Sequence, residues 1–334
     1  MVRVRFAPSP TGSLHLGNAL SAVANRRFAD ERRGTMLLRI DDTDAARNVE
    51  GGAAAICADL EWIGIAWDEG PVHQSSRFVR HREAAHRIGE PDGEGALRFG
   101  RTTLLRPDGT ATYQLASAVD DVDFEITHVI RGSDHRANAA LQADLIRALG
   151  GEPPEFVHHG LLLGEDGTKL SKRHGASTLA DLRDAGVPGE AVRAYLDELG
   201  LPRHDVHLDL ARLRRLSVDA LAALSDQELA DRAGVPVSVA PVLRGARDLV
   251  EAREYARLVL EPEHVDVDAP ETLVRFRELA ESGLEPRAIV RELKAVGGDL
   301  KALRLALTGR ERGPELAAVI ASLPRDELLR RVEA

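Results

Sequence analysis

A single cysteine, Cys57, in 334 residues excludes a disulfide framework within the chain and a structural zinc site built on cysteine. It lies in an alanine-rich helical stretch and reads as a core residue. The roughly 20 uninterrupted apolar residues of a membrane span occur nowhere, and the chain enters strand pattern at once without a signal-like run. A cytoplasmic protein that engages no membrane is expected. Lysine is almost missing: Lys169, Lys172, Lys294 and Lys301 stand among 44 basic residues, the rest being arginine. Lys169 and Lys172 are three apart, and a position that keeps lysine where arginine serves elsewhere points to a need for a compact ammonium charge. An excess of positive charge is also lacking. The net charge of −10 argues against a generic polyanion binder but leaves room for a local basic face. The length suffices for two or three domains with their own cores, and no internal repeat or low-complexity tract stands out.

The chain is organised around Arg5-Phe6-Ala7-Pro8-Ser9-Pro10-Thr11-Gly12-Ser13-Leu14-His15-Leu16-Gly17-Asn18. Val2, Val4 and Phe6 alternate with Arg3 and Arg5, as on a strand with one buried face; Pro8 and Pro10 forbid further pairing, and Gly12 allows a sharp turn. Leu16, Leu20, Val23 and Ala24 then share a helix face, which Arg32-Arg33-Gly34 ends with positive charge and a glycine cap. A strand feeding a helix N-terminus through small residues offers free N–H groups to an anion, and a nucleotide phosphate is the obvious one.

This stretch resembles the first signature of class I aminoacyl-tRNA synthetases, a His-x-Gly-x tetrapeptide, and Ala7–Gly12 narrows the resemblance to the glutamyl/glutaminyl branch. His15-Leu16-Gly17-Asn18 fills the tetrapeptide, with Asn18 where the family more often has His. The resemblance implies that His15 donates to ATP phosphate oxygens and that Gly17 lets the adenine approach the backbone, with Pro8, Gly12 and Asn18 close by. Thr35–Ile40 reads as a second buried strand and ends in Arg39-Ile40-Asp41-Asp42-Thr43-Asp44, which is similar to the family's Arg-Ile-Glu-Asp-Thr-Asp. Asp41 replaces the Glu that lies near the amino group of bound glutamate, one methylene shorter.

A helix over 51–66, a loop at Trp67–Pro71 and a helix from Gln74 through about Ile88 follow. Roughly Gly89–Pro107 is then polar and glycine-rich, where the family inserts a much longer connective domain, in many members with zinc. Arg106–Ala116 suggests a turn, a strand and a helix start; Ile126–His135 reads as a buried strand running into a helix over 137–149. By resemblance Tyr113 and Arg131 join Arg5 and Ser9 in the amino-acid pocket, and Ser117 stands where the family tends to place Asn. A planar guanidinium suits a carboxylate through two parallel charge-assisted bonds. Phe156–Leu163 is the last core strand. It delivers Gly164-Glu165-Asp166-Gly167-Thr168-Lys169-Leu170-Ser171-Lys172-Arg173, which resembles the second signature, Lys-x-Ser-Lys-x, with Lys169, Ser171 and Lys172 in the matching places. Two ammonium groups on such a loop can neutralise charge growing on pyrophosphate.

The expected fold is therefore an α/β doubly wound parallel sheet of the Rossmann-like class I type over 1–175, with 89–107 a remnant of the connective insertion and ligand bound at the switch point. An all-α C-terminal region follows: a stem-contact part over 176–205 and an anticodon-binding-like part over 206–334, with helical segments near 209–215, 217–233, 240–260, 271–283, 285–296, 298–308 and 313–333. The resemblance implies a glutamate–tRNA ligase, a monomer, that uses ATP with Mg²⁺ to form glutamyl-adenylate and passes the glutamyl group to tRNA. His15, Lys169 and Lys172 carry the first step by positioning and charge neutralisation, with no protein-held metal. The short chain leaves three alternatives: a relative that glutamylates the queuosine base of a tRNA, a ligase with a non-tRNA acceptor, and a non-catalytic binding paralogue.

Overall fold

The computed structural model describes residues 1–164, 166–168, 170 and 178–333. They form two compact units, Met1–Leu182 with Arg193–Asp209, and Arg183–Val192 with Leu210–Ala334.

The first unit begins β1 (Arg3–Phe6), α1 (Leu16–Glu31), β2 (Thr35–Ile40), α2 (Gly52–Trp62), β3 (Glu69–His73) and α3 (Phe78–Ile88). It continues β4 (Glu90–Pro91), β5 (Leu97–Phe99), β6 (Thr102–Leu105), α4 (Tyr113–Asp123), β7 (His128–Gly132), α5 (Ala139–Ala148), β8 (Glu155–His159) and β9 (Leu162–Leu163). Five strands pair in the order β3-β2-β1-β7-β8, every pair parallel. The chain order reverses at β1, so the crevice beyond the carboxyl ends of β1 and β7 is the switch point at which such sheets hold ligands. Val4, Leu16, Leu20, Met36, Leu38, Ile40, Ile56 and Leu60 are fully buried, and each of the larger side chains contributes roughly 1.5–3 kcal/mol by leaving water.

Strand β1 departs from the one-faced pattern its alternation suggested. It is the central strand and both faces are covered, so Arg5 is only 4% exposed; a parallel sheet flanked by helices buries both sides. The charge survives there because Arg5 Nε donates to Asp121 Oδ1 at 3.2 Å. The turn after α1 also differs: the left-handed residue is Arg33, φ 51°. Gly34 is needed for closeness instead, since a Cβ there would lie 2.4 Å from the Val2 carbonyl oxygen.

Glu69–His73, read as mostly loop, is strand β3 at the sheet edge, where Pro71 costs no ladder bond on the open side. Between α3 and α4 the polar remnant folds into an antiparallel meander, β4-β5-β6. It has no core of its own: Leu97, Leu104 and Leu105 pack with Ala84, Leu115 and Val119 of the flanking helices. Cys57 is half-buried, short of the core position expected of it. The last strand stops at His159 and gives way at Gly160, after which β9 pairs with β10 (Val206–His207).

After α6 (Leu179–Asp184) and α7 (Gly189–Leu199), the second unit is built of helices among its described residues: α8 (Leu210–Ala223), α9 (Asp226–Ala233), α10 (Ala240–Leu243), α11 (Leu249–Leu260), α12 (Pro270–Glu281), α13 (Pro286–Ala295), α14 (Leu300–Thr308), α15 (Leu316–Ser322) and α16 (Arg325–Arg331). Its core gathers Leu229, Leu243, Val259, Phe276, Leu293, Leu303, Leu307 and Val319. Three segments expected as continuous are interrupted. Ser225 and Glu228 form a capping box that starts α9, Asp248 caps a helix over Leu249–Leu260, and Pro324 precedes α16; each is a helix-start signal that outweighs the periodicity running across it.

Candidate active site

A cleft of about 640 Å³ opens at the carboxyl ends of β1, β2, β7 and β8, within the size range of small-molecule sites. Of the residues singled out from the sequence, Arg5, Pro8, Ser9, His15, Gly17, Asn18, Asp41, Tyr113 and Arg131 line it. Gly12 and Ser117 are not among the lining residues; Ser117 is fully buried in α4 and its hydroxyl has no partner. Lys169, Ser171 and Lys172 lie outside the described residues.

The nucleotide-facing wall is the turn from β1 into α1. His15 is the residue before the helix, in extended conformation, and its side chain makes no capping bond to the first turn. Its Nδ1 is buried without a partner among the described residues. The turn is clamped from outside: Asp59 of α2 accepts from Ser13 Oγ at 2.7 Å and from the Leu14 amide at 2.8 Å, and the Leu179 amide donates to the Leu14 carbonyl. The loop after β1 is stitched to that after β2 by Asp41 N to Pro8 O and Val49 N to Pro10 O, both 2.9 Å. At Gly17 a Cβ would meet nothing within 4 Å. The result is an uncapped helix N-terminus with a free imidazole nitrogen beside it, an anion site by dipole and donors alike.

The opposite wall carries the arginines. Arg131, on β7, is 6% exposed, and both of its terminal nitrogens are buried without a geometric hydrogen-bond partner among the described residues. Burial lowers its pKa; the Tyr113 phenol works against that drop, while the Arg5 charge adds to it. A buried guanidinium edge with no partner is costly unless an anion meets it.

Beneath Arg5 lies an ionic hub of which sequence reasoning singled out only Asp41. Arg39, with no exposure at all, chelates Asp41 through Nε (2.7 Å) and Nη2 (3.2 Å) and donates from Nη1 to Asp121 at 2.8 Å. Asp121 Oδ1 is thereby shared by Arg39 and Arg5. Its neighbour Asp120 accepts from Gln74, Arg77 and His81, each at 2.8 Å. Burial raises the Asp41 pKa despite Arg39; Asp120 is also desolvated, yet the bond from His81 and the Arg39 charge bring it below the ordinary value. Asp41 thus reaches the cleft with its carboxylate already held, which a position read only as an amine contact did not foretell. The signal that could have found the hub was Arg39 inside an apolar strand and the pair Asp120-Asp121 inside an apolar helix face, charges that no surface would require.

Comparison with known proteins matches residues 1–90 and 95–218 to the family "tRNA synthetases class I (E and Q), catalytic domain". The chain belongs to that family. Among class I relatives, glutamate–tRNA ligase 1 of Rubrobacter xylanophilus is 35% identical, with 99% of this chain and 97% of the relative covered. The glutamate–tRNA ligase of Akkermansia muciniphila is 31% identical over 100% and 99%. The first of these alignments runs to 422 positions against a chain of 334 residues, so part of the relative has no counterpart here. A solved glutamate tRNA ligase from Elizabethkingia meningosepticum shares the fold, with a TM-score of 0.76 at 22% identity over 99% of this chain and 98% of that one.

Proposed function

We propose that this class I synthetase activates glutamate with ATP and transfers it to the 3′ end of tRNA. The observation that carries the reading is the free Arg131 edge in the same cleft as the uncapped α1 N-terminus and His15: one wall is poised for a carboxylate and the other for phosphate. In the first step a carboxylate oxygen of glutamate attacks the α-phosphorus of ATP, and the bond to pyrophosphate breaks. In the second, a terminal ribose hydroxyl attacks the acyl carbon and AMP departs. The protein acts by position and charge: Arg131 and Arg5 hold the side-chain carboxylate, with Tyr113 and Ser9 beside them, and His15 with the first-turn amides holds phosphate oxygens. Lys169, Ser171 and Lys172 are assigned by motif to the pyrophosphate, and Pro8, Gly17 and Asn18 to the nucleotide. Mg²⁺ accompanying ATP would help offset the charge of the phosphates, and no side chain of the described residues is assigned to hold it. The helices after about 205 are assigned to the tRNA body, the enzyme to the cytoplasm, and the working form to the monomer.

ATP–pyrophosphate exchange dependent on glutamate, measured with and without total tRNA, tests activation. Exchange in either condition is the expected result, and none in both from folded protein would remove the reading. Charging with labelled glutamate tests the acceptor, since label must stay with RNA.

A further inference from the structure

Two arginine forks face the amino-acid end of the cleft, and in each the Nε is tied by a hydrogen bond. Arg5 uses Asp121; Arg131 uses His158, at 3.4 Å from Nε to Nε2. His158 does not line the cleft, and nothing said so far gives it a task. It stands opposite Arg131 in the parallel register of β7 and β8. Phe156, two residues earlier and so on the same face of the strand, completes the seat. The Arg131 guanidinium lies 5.3 Å over the Phe156 ring, and the His158 ring stacks on that ring at 6.5 Å and 11°. With one nitrogen tied and the guanidinium carbon over an aromatic ring, the last torsions of Arg131 are restricted, while its two terminal nitrogens are buried with no geometric hydrogen-bond partner among the described residues. Nε2 can accept only with its lone pair unprotonated, so the imidazole is neutral with its proton on Nδ1.

We propose that His158 is a positioning residue for Arg131: a neutral imidazole in the Nδ1–H form sets the plane of the guanidinium so that its free edge meets the substrate carboxylate already aligned. The inference rests on the glutamate-activating reading above. The groups around His158 keep it neutral. Arg131 faces it from β7, His135 and Arg136 from the turn after β7, and His159 from its own strand; burial first, then the charges of Arg131 and Arg136 with a smaller push from the two histidines, bring its pKa down to about 4. A second proton would remove the lone pair and set a positive charge against the fork.

Nitrogen NMR of the full chain labelled at histidine, at pH 7, should show His158 protonated at Nδ1 and bare at Nε2; the reverse tautomer overturns the proposal. In glutamate-dependent exchange with tRNA present, His158→Leu should raise the glutamate KM about tenfold with kcat changed less than about twofold. His158→Gln, whose amide oxygen can still accept from Nε, should restore KM to within about threefold of the unaltered chain. An unchanged KM in the leucine variant, or kcat falling as much as KM rises in both variants, refutes it. Absence of exchange in the unaltered chain would count against the glutamate reading, and the tautomer would then decide alone.

Discussion

Arg39 has no contact with solvent and carries two carboxylates. Removing one member of such a buried set leaves charges in a medium that cannot solvate them, which is far worse than never having buried them. Arg39→Met should therefore cost about 3–5 kcal/mol in urea denaturation, whereas Arg80→Ala, which breaks a more exposed pair with Asp123, should cost no more than about 1 kcal/mol. Similar costs for the two would show that the hub is no more than a surface network. His158 allows a prediction with a definite sign. Its folded pKa of about 4 lies below the free value of 6.5, so between these the unfolded chain binds the extra proton and the folded one does not. Its contribution is complete above pH 6.5 and drains away as pH falls toward 4. Urea midpoints at pH 7 and pH 5 should differ less in His158→Gln than in the unaltered chain.

At the level of elements, close approach decides more than torsional freedom. Gly160 breaks the last strand because a Cβ there would sit 1.9 Å from the His204 carbonyl oxygen, while its own amide donates to Pro202 O at 2.7 Å. Gly160→Ala must push that loop away and should destabilise the fold by at least about 1–3 kcal/mol, the usual cost of overpacking, seen as a lowered Tm. Thr35–Ile40 was legible from its sequence to the residue, and the turn bearing His15 was legible from its residue order. The burial of Arg5 was not, because its partner Asp121 lies 116 residues away and no local pattern encodes a distant counter-charge. Edge strand β3 was hidden by Gly70 and Pro71, which read as loop, and the short β4–β6 meander by strands of two to four residues, too brief for a period to show. In the cleft, nine positions were reachable from motif order, while Arg39, Asp59 and His158 act from behind the lining: Arg39 stands in a motif that gave it no role, and Asp59 and His158 carry no motif of their own.

For the molecule as a whole, the boundary between units matters for any fragment. Residues 193–209 return to the first unit after 183–192 have joined the second. The stretch 202–206 supplies Pro202 O to Gly160, Asp205 to the Leu161 amide at 2.8 Å and Val206 to β9. A chain ended at 205 lacks β10 and should be less heat-stable, and more readily cut near Gly160 by protease, than one ended just beyond Asp209. Equal resistance of the two fragments would mean that β10 is dispensable.

The place of β1 at the centre of its sheet bears on how the protein is made. Strand β1 leaves the ribosome well before β7 and can pair with β2 soon afterwards, but its other edge waits for β7, and the bond from the Arg3 amide to Thr127 spans 124 residues. At ordinary synthesis speeds that interval is roughly 6–25 seconds, during which an apolar sheet edge stands uncovered on the nascent chain. Closure over so long a loop is slow, so the amino-terminal half should depend on chaperone cover during translation, and a pause placed before codon 128 should cost soluble yield where the same pause after codon 159 should not.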